Sequence, residues 1–172
     1  MKATKGSDLT QTNADLAHEM LELFYPIFYK VGMALESKLG KGELTRTQIT
    51  ILWLIRSEGA ERRAIPRKRL ERLVRDLRDV SGPAFTKALR ALTRPPLNLL
   101  RLVPDPRSGR EKQVLLTAKG ERCLQAMTEQ GSRFFLPILQ SLPMEQILAG
   151  VAYLRAVVSL PELTKAPATG KR

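Results

Sequence analysis

The side chains in this sequence that could do chemistry are its cations. Ser81, Ala84, Thr86, Lys87 and Arg90 fall on the outer face of a helix that Ser81 would cap. Short polar groups on its first turns, with two cations behind them, can reach base edges in a major groove while the flanks meet phosphates. Shortly after, DPRSGR at 105–110 and Lys112 form a turn that projects Arg107 and Arg110. An arginine on such a tip can enter a narrow minor groove, where the potential is most negative.

Other reactive groups are sparse. His18 is the only histidine and Cys123 the only cysteine, so neither a disulfide framework nor a zinc ribbon can be built. A Ser-His-Asp triad or a His-based metal site would need to form around His18 alone, which reads as a surface residue of a helix. GKGE at 40–43 lacks the spacing of a phosphate loop, and no GxGxxG occurs. With no catalytic spacing of His, Cys or paired carboxylates, the expectation is a non-enzyme with no cofactor and no metal. Cys123 reads as a small buried hydrophobe.

Charge supports the cation reading. Lys and Arg number 29 against 17 Asp and Glu, a net charge of +12 over 172 residues, which favours a polyanionic partner such as nucleic acid or an anionic membrane surface. Between Arg62 and Lys112 fifteen basic residues face five acidic ones, so ten of those twelve charges sit in this segment. The N-terminal MKATKGSDLTQTN has no apolar signal core. No run reaches the roughly 18 apolar residues of a membrane span. The expectation is a cytoplasmic chain without membrane association.

Elements must position these groups. From Asp15 to Lys38 apolar residues recur with helical period, including Leu16, Met20, Phe24, Phe28 and Leu35. The spacing predicts one long helix, bent at Pro26 and ended by Gly40. Thr45 can cap a helix with Ile49, Leu52, Trp53 and Ile55 inward, closed near Gly59. RRAI at 62–65 reads as a short strand. Pro66 opens a helix with Leu70, Leu73, Val74 and Leu77 inward and an Arg-rich outer face, where Arg72–Asp76 or Glu71–Arg75 could pair at i, i+4. Ser81, followed by Gly82 and Pro83, starts the next helix, with Phe85, Ala88, Leu89 and Leu92 buried. RPPLN at 94–98 follows, with Asn98 in the left-handed conformation. Strands at Leu99–Val103 and Gln113–Leu116 flank the DPRSGR turn. Thr117 caps a helix to Phe135, Pro137 interrupts it, and a last helix runs from Pro143 to Leu160.

The order of these elements, and two motifs, resemble the MarR (multiple antibiotic resistance regulator) family of winged-helix transcription regulators. Asp105-Pro106-Arg107-Ser108-Gly109-Arg110 leading to Leu116-Thr117-Ala118-Lys119-Gly120 is similar to that family's wing and following strand, with the same spacing. Leu44 to Ile55 resembles its Leu-Thr-x-x-Gln helix start. Ser108 and Gly109 depart from the family's second acid and first arginine, and RPPLN replaces its shorter connection. The resemblance implies a mainly α fold with a small β-wing, a winged helix-turn-helix between N- and C-terminal dimerisation helices. It implies that Ser81, Ala84, Thr86, Lys87 and Arg90 read the major groove, that Arg107, Arg110 and Lys112 form the DNA-binding wing, and that Asp105 supports it.

The implied organisation is an arm at 1–43, a DNA-binding module at 44–117, C-terminal dimerisation helices at 118–163 and a disordered tail at 164–172. The arms carry more apolar surface than the middle can cover, so a second copy is expected to cover it through Leu16, Met20, Phe24, Ile147, Val151 and Leu154. Tyr25, Tyr29 and Trp53 are candidate lining residues for a small-molecule effector. The resulting reading is a homodimeric, sequence-specific regulator of double-stranded DNA, a repressor tuned by an effector. An architectural or protein-interaction module that binds nucleic acid without sequence preference is the alternative.

Overall fold

The computed structural model describes residues 5–40, 42–106 and 108–160. The chain divides into two compact units, the first ending at Lys38 and the second beginning at Leu39. The first unit is helical. Helix α1 spans Lys5–Ile27, with Pro26 inside it. A π-helical turn follows over Phe28–Gly32, where Met33 N donates to Phe28 O, and α2 spans Met33–Leu39. The expected single helix is thus present, and the irregularity in its ladder lies just beyond Pro26 as a π turn. Phe24 stacks on Phe28 at 6.5 Å between ring centroids.

In the second unit α3 covers Arg46–Glu58. Its start is a full capping box: Thr45 N donates to Gln48 Oε1 at 2.8 Å, and Gln48 N donates to Thr45 Oγ1 at 3.3 Å. Strand β1 is Ala64–Pro66, α4 is Arg67–Arg78 and α5 is Gly82–Thr93. Strands β2 (Leu100–Asp105) and β3 (Ser108–Leu116) make the hairpin, followed by α6 (Ala118–Gln140) and α7 (Met144–Val158). The sheet is antiparallel with order β1-β3-β2.

One core holds the second unit together. Ile51, Leu52 and Ile55 of α3 meet Ile65, Leu70, Val74, Phe85, Leu92 and Val114, all fully buried. Leu124 and Met127 join them, so the first half of α6 packs into the same core as the helices before the hairpin. Two residues expected inside are outside. Trp53 is 40% exposed, with the Arg56 guanidinium 5.7 Å from its ring centroid, because α3 presents Ile51 and Leu52 to the core instead. Leu77 is 62% exposed, since α4 ends one residue later and Asp79 turns the chain away in the left-handed conformation.

Other expectations are corrected at element ends. Pro137 does not interrupt α6, which continues to Gln140. Only the last turn follows this proline, and Ser141 closes it by donating from Oγ to Pro137 O and from its amide to Ile138 O. The hairpin strands run further than expected, to Asp105 and from Ser108. Neither Arg72–Asp76 nor Glu71–Arg75 pairs; Glu71 instead meets Arg67 at 3.7 Å. Asn98 takes the left-handed conformation, φ 47°. The stretch 164–172 lies outside the described residues.

Candidate nucleic-acid interface

The N-terminus of α5 is built by Ser81, whose Oγ accepts from Ala84 N at 3.3 Å while its backbone is extended. This satisfies one of the free amides of the first turn. Phe85 and Leu89 anchor the inner face, leaving Ser81, Ala84, Lys87 and Arg90 exposed; Thr86 is half-buried at the edge of that face. Neither Lys87 nor Arg90 forms an ion pair within the described residues. A fixed helix therefore carries small groups in front and two unneutralised cations behind.

The wing is set by register. Leu100 pairs with Leu116 and Pro104 with Lys112, and a shift between Pro104 and Asp105 brings Asp105 opposite Ser108. Asp105 is buried and accepts from Gln113 Nε2 at 3.3 Å, so the acid expected to support the wing points into it. Arg110 and Lys112 are exposed. Arg107 lies outside the described residues.

The pairing of β1 with β3 adds cations that sequence reasoning did not place at the wing. Pro66 lies opposite Gln113. Continuing that antiparallel register outward carries the first turn of α4 beside the wing, and Lys68 forms an ion pair with Glu111. Arg67, Lys68, Leu102, Arg110, Glu111 and Lys112 line one cleft of about 290 Å³. The Arg-rich face of α4 was visible in the sequence, but its position beside the wing depends on a contact 43 residues apart in the chain.

The other predicted residues fall elsewhere. Tyr25 and Tyr29 are exposed on the first unit, and Trp53 is on the surface of α3. None of the three lines the cavity of about 390 Å³ in the second unit, whose walls include Leu44, Leu97, Leu99, Lys119, Cys123 and Met127. Leu16, Met20, Phe24, Val151 and Leu154 are exposed, and Ile147 is half-buried.

Comparison with known proteins agrees with this geometry. Residues 44–120 match the winged helix DNA-binding domain family. Wild-type apo MarR from Escherichia coli is similar in structure, with a TM-score of 0.58 and 21% identity, over 81% of this chain and 95% of that one. MepR, a transcription regulator of the Staphylococcus aureus multidrug efflux pump MepA, gives 0.58 and 21% over 80% and 94%. RV1404 from Mycobacterium tuberculosis gives 0.60 and 19% over 98% and 100%. No curated protein is significantly similar in sequence. Residues 44–120 thus match the model of a winged helix DNA-binding domain, and the chain as a whole has the winged-helix fold seen in MarR.

Proposed function

We propose that the chain is a homodimeric, sequence-specific transcription regulator of the MarR type, acting in the cytoplasm as a repressor on double-stranded DNA. The observation that carries this is the capped, exposed face of α5 with its unpaired Lys87 and Arg90, next to a hairpin exposing Arg110 and Lys112. Base edges are read from such a face, and a hairpin arginine suits the minor groove. No catalytic step or cofactor is part of the proposal.

Dimerisation is supported by apolar surface. Along α7 and the second half of α6, Leu136, Leu148, Val151, Leu154 and Val158 are exposed in the single chain, a surface that water disfavours and a second copy would cover. Two modules on a two-fold axis require a pseudo-palindromic site with half-sites about 34 Å apart. Effector control is supported by the 390 Å³ cavity, which reaches from the segment before α3 to α6 and has the size of a small-molecule site.

The test is selection from random duplexes at near-physiological salt, with sedimentation to measure the mass of the protein. Recovery of a two-fold symmetric motif by a dimer is expected. Binding that releases steeply with salt but yields no motif would replace this reading with the architectural one, since phosphate contacts carry no sequence information.

A further inference from the structure

Lys68 stands where two grooves meet. It lines the wing cleft with Arg67, Arg110 and Lys112, and it also lines a groove of about 770 Å³ along α4 with Arg72 and Arg75. The two grooves thus form one path of six cations, from the hairpin to the end of α4. Its partner by charge and length is the sugar-phosphate backbone of one DNA strand, which the first helix of a helix-turn-helix crosses. At the junction an acid stands in the path. Glu111, on the hairpin strand β3, reaches across and pairs with Lys68.

The acids of the path are not equivalent. Glu71 is engaged by Arg67 on its own helix, and Asp76 and Asp79 lie towards the α4 end. Glu111 is the acid among the lining residues of the wing cleft. The Lys68 side chain is 78% exposed, so solvent and incoming phosphates reach the pair. An exposed pair of this kind is weak and screened by salt. A phosphate arriving at Lys68 therefore competes with a carboxylate already in place and is repelled by it.

We propose that Glu111 is an affinity-setting residue that restrains backbone binding by occupying Lys68. The proposal rests on the DNA-binding reading above and adds a residue that acts against it. Because phosphates are alike in every sequence, the restraint falls on all duplexes, and it raises the share of total affinity that comes from α5. Removing the carboxylate frees Lys68 for one more phosphate.

The experiment uses the full chain with Glu111→Gln, Lys68→Gln and the double variant, titrated onto a scrambled duplex and onto a selected one from low to moderate salt. Glu111→Gln is expected to tighten binding to both duplexes by about three- to tenfold at low salt, with a log K against log salt slope steeper by about 0.9. In the Lys68→Gln background the same substitution is expected to gain less than about twofold, because the freed cation is gone. Unchanged or weaker binding by Glu111→Gln overturns the proposal and makes the pair a brace that holds the wing to α4. A wild-type chain that binds neither duplex overturns the DNA-binding reading itself, and the restraint with it.

Discussion

Gly120→Ala tests how the hairpin is joined to α6. A Cβ built on Gly120 would stand 2.0 Å from Leu99 O, 3.0 Å from Leu99 C and 3.2 Å from Leu116 Cδ2. To regain normal contact the carbonyl must retreat by more than about 1 Å. It is not free to do so, because Leu99 O accepts from Thr117 N at 3.0 Å and from Thr117 Oγ1 at 3.1 Å. Thr117 Oγ1 also accepts from Gly120 N at 3.0 Å, so the cap of α6 and the glycine form one knot. Overpacking strain costs about 1 to 3 kcal/mol, and each hydrogen bond lost adds about 1 kcal/mol. The total for Gly120→Ala is about 2 to 4 kcal/mol, or roughly 4 to 16 °C in Tm for a chain of this size. Urea unfolding followed by the fluorescence of Trp53, at fixed protein concentration, measures it. A change below about 0.5 kcal/mol, the range of an indifferent surface substitution, would refute the close approach as the reason for glycine here.

Other substitutions separate the roles of single side chains. Arg110→Ala is expected to weaken binding to a selected duplex by about 1 to 3 kcal/mol while leaving Tm in place, as measured by anisotropy titration; binding within error of wild type would remove the wing from recognition. Lys87→Ala should lower affinity for selected and scrambled duplexes alike and flatten the salt slope by about 0.9, whereas a loss confined to one sequence would make Lys87 a base reader. Phe85→Ala empties a fully buried position under α5 and should cost about 3 to 5 kcal/mol in urea unfolding.

Much of this architecture follows from local rules that a single sequence carries. Thr45 with Gln48, Ser81 before Gly82-Pro83 and Thr117 before Gly120 are caps whose partners lie three residues away, and all three helices start where those signals stand. The stripe Phe85, Ala88, Leu89 and Leu92 is inward, and Asn98 is left-handed, because helical period and backbone sterics act over a few residues. The charge of the 62–112 segment is likewise a property of the chain.

Tertiary packing decided the remainder. Ile51, Leu52, Trp53 and Leu54 are all apolar, and only the directions from which the sheet, α4 and α5 cover α3 select Trp53 for the surface. Pro137 reads as a break, yet its place in the last turn of α6 leaves one turn to close, and Ser141 closes it. On α4, Glu71 pairs with Arg67 rather than Arg75, while Lys68 meets Glu111, brought alongside by the pairing of β1 with β3, and Arg69 meets Glu58 of α3 at 3.0 Å. Composition determines the excess of positive charge; that Lys68 stands beside Glu111 of the wing is decided by the pairing of Pro66 with Gln113, a non-local contact that no short-range pattern encodes.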